Sequence, residues 1–260
     1  MATTTATQSV DDLRGLRTFN LAMAALHTLQ AIAMLLLSSD FALPVTSAFL
    51  HFDDVAERLV PLSREIGTLR IGPLIAAFLF MSAIAHVTVA TVAFDRYRAQ
   101  LARGVNFARW IEYSFSSSLM IVVIAMLVGI YDVAALILIA GLNAAMILFG
   151  WMMELHNERT ERTDWTAFIF GSIAGALPWV AIAIYLWSPG EPSNPPGFVY
   201  GIFLSLFLFF NVFAVNMVLQ YRRIGPWRDY LFGERAYVVL SLVAKSLLAW
   251  QVFAGTLRPN

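Results

Sequence analysis

Four ionisable side chains lie within long hydrophobic stretches of the sequence: Lys245, Glu112, His27 and His86. An ionisable group at bilayer depth costs roughly 2.5–3.5 kcal/mol on insertion scales, so such residues usually have a function or a partner. Lys245 is the only lysine in the chain, and a lysine amine in an apolar environment can form a Schiff base with an aldehyde. A lysine that extends its amine to the membrane surface is the alternative. Because about ten residues of apolar helix flank Lys245 on each side, its position favours a reactive amine.

Glu112, in the segment RWIEYSFSSSL, is the predicted counter-charge for Lys245. Both predicted helices run in the same direction, and each residue lies about 11 residues into its helix, so we expect the two depths to match. Arg109 is one turn from Glu112 and is a second candidate partner in the same polar region. Ser116 and Ser117 are one turn further on and could hydrogen-bond the carboxylate or the Schiff base. The alternative is a local pair of Glu112 and Arg109 near the helix end, without Lys245.

The two histidines each have a polar neighbour on the same helix face. His86 follows Ser82 by one turn, and Asn20 lies two turns from His27. These side chains could line one polar cavity, to which Ser241, one turn before Lys245, could also belong. The alternative is that each histidine is an ordinary packing residue.

Seven hydrophobic segments must position these residues. Hydrophobic residues make up 59% of the 260-residue chain and charged residues 13%, which is far more apolar surface than a soluble domain needs. A spanning helix needs about 20 mostly apolar residues, and we predict spans at approximately 18–38, 67–94, 101–129, 132–153, 165–187, 198–220 and 234–255. The sequence therefore predicts an all-α seven-helix membrane domain at residues 14–257, preceded by a flexible tail at 1–13.

The net charge of zero and the absence of cysteine exclude several classes of function. Without a basic field, we expect no nucleic-acid partner. Without cysteine, the chain has no disulfide, thiolate metal site or cysteine nucleophile. Glu154, His156 and Glu158, in the segment MMELHNERTERTD, could bind a metal in principle, but a solvated charged loop is the preferred interpretation. We therefore predict no metal site.

The long first loop and the distribution of arginine predict the arrangement at the membrane. Residues 39–66 contain two extended runs around Asp53 and Asp54, which predict a short β-hairpin, although Pro44 and Pro61 would suit only edge positions. With the N-terminus inside, twelve arginines lie on the cytoplasmic side and four outside. This bias predicts a cytoplasmic N-terminus and an extracellular C-terminus in the cell membrane.

The combination of seven spans, a lysine in the middle of the seventh and a carboxylate in the third resembles a retinal-binding rhodopsin. The segments RWIEYSFSSS, AGLNAAMILFGWMMELHNE, NMVLQYRR and SLVAKS resemble one branch, the heliorhodopsins. The predicted orientation also matches that branch, whose N-terminus lies in the cytoplasm. The resemblance covers residues 10–255.

The resemblance implies a role for each matching residue. Lys245 would bind all-trans retinal as a protonated Schiff base, with Glu112 as its counterion. His27, His86 and Ser82 would belong to a cytoplasmic polar cavity that holds water and takes up the released proton. The residues that would tune the Schiff base environment are Ser117, Asn143 and Ser241. The residues expected in the walls of the retinal pocket are Met146, Gly150, Trp179, Phe207 and Phe210.

The resemblance also implies a function and a dimer. Light-driven pumps of related type carry a second carboxylate one turn before the lysine, where this chain has Ser241, and residues 113–129 contain no acidic residue. We therefore expect a non-enzymatic light sensor that acts on an unidentified cytoplasmic signalling protein, without net ion pumping. The alternatives are a light-driven or light-gated ion transporter, and a non-photoactive membrane scaffold in which Lys245 and Glu112 form a structural ion pair. The family also forms homodimers through the first-loop hairpin, which fits residues 39–66.

Overall fold

The computed structural model describes residues 10–188 and 195–258. In chain order its elements are α1 (Val10–Leu37), β1 (Ala42–Asp53), β2 (Arg58–Arg70), α2 (Ile71–Ala90), α3 (Phe94–Ala102), α4 (Phe107–Leu127), α5 (Val133–Asn157), α6 (Thr166–Trp187), α7 (Gly197–Arg222) and α8 (Tyr230–Val252). A 3₁₀ turn at Gly225–Arg228 precedes α8, and a π-helical turn at Phe253–Leu257 follows it. Of the predicted tail at 1–13, residues 1–9 lie outside the described residues, and residues 10–13 belong to α1.

The prediction of a seven-span membrane protein is confirmed. In the described part of the chain, seven helices are long and apolar enough to cross a membrane: α1 from Gly15 onward, α2, α4, α5, α6, α7 and α8. The most extensive helix contacts are between α1 and α2, α4 and α5, α5 and α6, α2 and α4, and α7 and α8. The hairpin connects α1 and α2 at one end of the bundle, the hairpin end, and α3 connects α2 and α4 at the other, the α3 end.

The third predicted span, 101–129, begins in the wrong place. The chain forms the short helix α3, turns at Gly104 with a φ of 75°, and starts α4 only at Phe107. Gly104 suits this turn because glycine adopts positive φ without steric cost. Asn106 then caps α4, since its side chain accepts a hydrogen bond from the backbone N–H of Arg109 at 3.1 Å.

The predicted hairpin is confirmed, with strands of 12 and 13 residues in antiparallel register from Ala42 opposite Arg70 to Asp53 opposite Arg58. The second predicted span, 67–94, therefore starts too early, because β2 continues to Arg70. Both strands are edges of a two-stranded sheet, which accommodates their prolines. Asp53 accepts hydrogen bonds from the N–H groups of Ala56 and Val55 at 2.9 Å each, and these bonds lower its pKa.

The hairpin is held against the bundle by the connection between α4 and α5. The N–H of Thr46 donates to the carbonyl of Tyr131 at 2.9 Å. The N–H of Ala48 donates to Oδ2 of Asp132 at 3.2 Å. On this side the bundle interior is hydrophobic, and its fully buried side chains include Ile121, Ile124, Ile182, Leu206 and Leu248.

Candidate functional site

Lys245 lies in the middle of α8 and is only 2% exposed. Its Nζ donates to Oε1 of Glu112 at 2.9 Å and to Oγ of Ser241 at 2.7 Å. The contact with Ser241 follows from helix geometry, because side chains four residues apart share a face and lean toward the helix N-terminus. The same ammonium lies 5.1 Å from the centre of the Tyr113 ring. The amine is therefore buried but partnered by a carboxylate, a hydroxyl and an aromatic ring.

Glu112 lies near the start of α4 and connects Lys245 to α2. Its Oε1 accepts a second hydrogen bond from the hydroxyl of Ser82 at 2.6 Å. A buried ion pair of this kind is tolerated when further hydrogen bonds satisfy its remaining polar atoms. The predicted depth match relied on a helix that starts at residue 101, whereas Glu112 is only five residues beyond Phe107. Glu112 and Lys245 nevertheless meet, since the lysine side chain extends back along α8.

The two histidines lie side by side next to this pair. The rings of His27 and His86 stack with 5.7 Å between their centres and 12° between their planes. Asn20 contacts His86 rather than its helix neighbour His27, with 2.7 Å between the side-chain oxygen and Nδ1. Neither ring nitrogen of His27 has a hydrogen-bond partner among the described residues, although the residue is fully buried. Buried imidazoles in this state usually bind ordered water.

A cavity of about 270 Å³ opens beside Lys245 and Ser241 between α4, α5, α6, α7 and α8. Its walls include all five residues predicted for the pocket: Met146, Gly150, Trp179, Phe207 and Phe210. The Trp179 ring meets Phe207 and Phe210 edge-on, with centres 5.4 and 5.3 Å apart. The volume is close to the lower limit of about 300 Å³ for small-molecule sites, and the lining suits an apolar molecule.

Two glycines give this cavity its shape. A Cβ on Gly150 would lie 2.4 Å from the Trp110 ring, and a Cβ on Gly175 would lie 2.1 Å from the sulfur of Met146. Both distances are far below van der Waals contact. These glycines therefore allow Trp110 and Met146 to form walls of the cavity.

Ser117 and Asn143 form a polar point in the same wall. The amide of Asn143 donates to Oγ of Ser117 at 2.7 Å and to Oγ of Ser118 at 3.1 Å. Ser117 itself lines the cavity. The structure thus places this pair beside the space next to Lys245 rather than among the direct partners of the amine.

Arg109 faces away from Glu112. Its guanidinium forms ion pairs with Glu154 of α5 and Glu234 of α8, and all three side chains are buried. We call these three residues the Arg109 cluster. The expected solvated loop at residues 152–164 is wrong for Glu154, because α5 continues to Asn157 and turns this carboxylate inward. Of the other two candidate metal ligands, His156 contacts Asp164 and Glu158 pairs with Arg103.

Two further residues of this region were not found from the sequence. Glu234 is the carboxylate at the start of α8, and Asn106 donates from its side-chain amide to Glu234 at 2.7 Å and from its backbone to Glu154 at 3.0 Å. The available signal for Glu234 was its position as the first residue of a predicted span. An acidic residue there is also common at an exposed helix start.

The comparison with known families agrees with this geometry. A sequence model of the family described as Heliorhodopsin matches residues 16–257. The chain belongs to the heliorhodopsin family. A search of curated proteins found no match. Heliorhodopsins are light-sensing membrane rhodopsins with a retinal chromophore bound to a lysine, and this chain contains a single lysine.

The residues present fit a heliorhodopsin chromophore. The cavity is lined mainly by hydrophobic and aromatic side chains, as a polyene requires, and it has an amine in one wall. That amine already has a carboxylate partner, so a positive charge that remains on the lysine nitrogen after attachment would be stabilised. Ser241 provides a polar group beside the lysine, and most of the other lining residues are apolar or aromatic.

Proposed function

We propose that Lys245 binds retinal, that Glu112 is the counterion of the Lys245 nitrogen, and that light causes a signalling conformational change without net ion transport. The observation that carries this proposal is the Lys245 amine, which lies in the wall of an aromatic cavity, 2.9 Å from the Glu112 carboxylate. A carboxylate at this distance stabilises the charged form of the nitrogen.

Retinal, when bound, supplies a polyene that absorbs visible light and changes shape next to the lysine nitrogen. The side chains of this chain hold and redistribute charge around that nitrogen. Glu112 and Ser241 accept hydrogen bonds from it, and Ser82 donates to Glu112 and lowers the cost of its negative charge. His86, held by Asn20, lines the same small cavity as Glu112 and is a further group able to take up a proton.

The absence of net transport is supported by the distribution of polar groups. A pump needs titratable groups on both sides of the lysine nitrogen. Toward the hairpin end, the described core beyond Lys245 consists of residues such as Ile121, Ile124 and Leu248. The bias of arginine favours an α3 end in the cytoplasm and a hairpin end outside, and in this orientation released protons would stay on the cytoplasmic side.

Reconstitution with all-trans retinal tests the attachment. The purified protein should gain a visible absorption band, and Lys245→Ala should not. Lys245→Arg, which keeps the positive charge but cannot form the bond, should also lack the band while retaining the fold. A wild-type protein without a visible band, or a band that survives in Lys245→Ala, would contradict the proposal.

A pH titration of the visible band tests the counterion. Glu112→Gln removes the negative partner of the Lys245 nitrogen. The nitrogen should therefore lose its proton at lower pH than in wild type, and the visible band should shift to shorter wavelength at that lower pH. Glu158→Gln is the matched control, because Glu158 pairs with Arg103 on the surface. An unchanged titration in Glu112→Gln would remove Glu112 as the counterion.

We also propose that the protein forms a homodimer through its hairpin. The strands expose several large hydrophobic side chains, including Phe49, Leu50, Phe52 and Leu59, and such side chains mark interaction surfaces when they lie together. Cross-linking in native membranes checks this. Leu50→Glu together with Leu59→Glu should abolish the dimer, whereas an unchanged dimer would show that another surface forms it.

The proposed cytoplasmic signalling partner would bind at the α3 end, because that end is the one proposed to face the cytoplasm.

A further inference from the structure

The Arg109 cluster contains two carboxylates and one guanidinium, all three within the protein interior. Arg109, Glu154 and Glu234 are 6%, 3% and 2% exposed. The guanidinium contacts one oxygen of each carboxylate, and its carbon lies 4.0 Å from the centre of the Tyr237 ring and 4.4 Å from that of Trp110. None of these three residues contacts Lys245, so the charges of the Arg109 cluster must balance among the cluster's own groups.

No second cation faces the two carboxylates among the described residues. Lys245 is already paired with Glu112. From α2, His86 is held by Asn20 on the side of the Lys245 site. The remaining titratable groups around the cluster are tyrosines, which are neutral near neutral pH. They are Tyr97 on α3, Tyr113 on α4, Tyr221 on α7, and Tyr230 and Tyr237 on α8.

Two ionised carboxylates and one guanidinium would leave a net negative charge in the protein interior. An unpaired buried charge is so unfavourable that the group usually takes up a proton instead. The other contacts of the carboxylates are neutral donors: Trp110 donates its indole N–H to Glu154 at 2.6 Å, and Asn106 donates its amide to Glu234 at 2.7 Å. One proton on the pair would make the whole cluster neutral.

The cluster also borders a space that reaches Glu112. A cavity of about 40 Å³ is lined by Arg109, Glu234 and Tyr237 together with Glu112 and His86. The Nε of Arg109 has no hydrogen-bond partner among the described residues, although the residue is buried. A space of about 10–15 Å³ is enough for one water molecule when polar groups surround it.

We propose that the Arg109 cluster is a proton-binding site, in which Glu154 and Glu234 share one proton in the resting protein, and that the small cavity connects it with Glu112. The site does not require retinal to be attached at Lys245. If the shared proton is not found, the proposed photoreceptor function is unaffected. If retinal does not bind, the proposed proton-binding site is unaffected.

Infrared spectroscopy of the full-length protein in the dark, with and without retinal, tests the proposal. Glutamate labelled with ¹³C at the side-chain carboxyl separates glutamic acid from aspartic acid and lipid esters. Wild type at neutral pH should show a labelled C=O stretch of a protonated carboxyl. A wild-type spectrum without this band overturns the proposal before any variant is made.

The variants locate the proton. In Glu154→Gln and in Glu234→Gln, the remaining carboxylate has Arg109 to itself and should ionise, so the band should disappear from both. The matched control Glu158→Gln should keep it. A band that persists in both variants, or that is lost from only one of them, overturns the shared site. If either variant proves unstable, Arg109→Lys, which retains the positive charge, should keep the wild-type band, and its loss there overturns the charge-balance argument.

Discussion

The two halves of the bundle differ in what they bury. Toward the α3 end, the interior holds Arg109, Glu154 and Glu234, followed by the Glu112–Lys245 pair. Each charge has an opposite partner and further hydrogen bonds, which is the condition under which buried charges are tolerated. This half has a high desolvation cost, and its residues are the ones able to bind or move a proton.

The hairpin half, by contrast, is stabilised by hydrophobic packing. Ile121, Ile124, Leu206 and Leu248 are almost completely buried against one another and against the neighbouring helices. Such a region excludes water and, among the described residues, buries no carboxylate or histidine that could receive a proton. Lys245 lies at the boundary between the two halves, so a proton released there has acceptors on one side. The difference supports the proposal that proton transfer is confined to the α3 half and that the hairpin half keeps water away from Lys245.

The largest effect is expected from Arg109→Gln, which removes the cation of the α3 half. Loss of one partner from a buried pair costs about 3–5 kcal/mol, because the other charge remains without compensation. We expect the free energy of unfolding in detergent to fall by about this amount, measured by loss of helical circular dichroism on denaturation. Glu154→Gln is the matched variant and should cost clearly less, since Arg109 keeps Glu234. Equal losses in the two variants would contradict the described charge balance.

The corresponding change in the hairpin half is Leu248→Ala. Truncating a fully buried leucine costs about 2–5 kcal/mol through lost packing and the cavity that remains. We expect reduced stability in the same assay but an unchanged pH titration of the visible band. A shifted titration would show that water or a titratable group reaches Lys245 from the hairpin side.

A smaller effect is expected at the boundary, from Gly150→Ala. The added methyl group would lie 2.4 Å from the Trp110 ring, and overpacking of this kind typically costs about 1–3 kcal/mol. Trp110 lines the large cavity and donates to Glu154, so its displacement should also lower the yield of the visible band. Gly141→Ala is the control, because nothing lies within 4 Å of a Cβ there. Full chromophore yield in Gly150→Ala would show that the wall is not tight.

The smallest effect is expected outside the bundle, at Asp53 in the hairpin turn. The N–H groups of Ala56 and Val55 lower its pKa. The carboxylate therefore stabilises the turn at neutral pH, and this contribution is lost as the pH falls through the lowered pKa. Hydrogen-exchange protection of the hairpin tip should therefore drop in acid. Asp53→Ala should show weak protection at all pH values, whereas Asp54→Ala should behave like wild type. Unchanged protection in Asp53→Ala would exclude this role.

The sequence predicted the fold well where a pattern is long. Seven apolar segments of about 20 residues are hard to mistake, and all seven predicted spans are present. The start of α4 was missed by six residues, because the last residues of α3 and the turn at Gly104 were included in the predicted span 101–129, while the rest of α3 was taken as a connection. Gly104 and Asn106 mark the break, but each is a single local signal next to a strong hydrophobic pattern. The end of β2 was missed because residues 67–70 directly precede the apolar segment of α2 and were included in the predicted span.

The sequence likewise predicted only part of the site. Lys245 and Glu112 stood out as isolated charges in apolar helices, and the structure places them in contact. The Arg109 cluster did not stand out, because Glu154 and Glu234 lie near helix ends, where charged residues are ordinarily solvated. Their partner is more than 40 residues away in sequence. Only the packing of α4, α5 and α8 shows that all three side chains point to one another.

If protons move only within the α3 half, illumination should cause no net proton transport, and a light-induced pH measurement tests this. Cells that express the retinal-loaded protein are illuminated in unbuffered medium, with and without a protonophore, while the photoinduced absorption change is recorded in the same sample. We expect a clear absorption change and no protonophore-sensitive pH change. A sustained pH change that the protonophore abolishes would show net transport through the hairpin half and contradict the account.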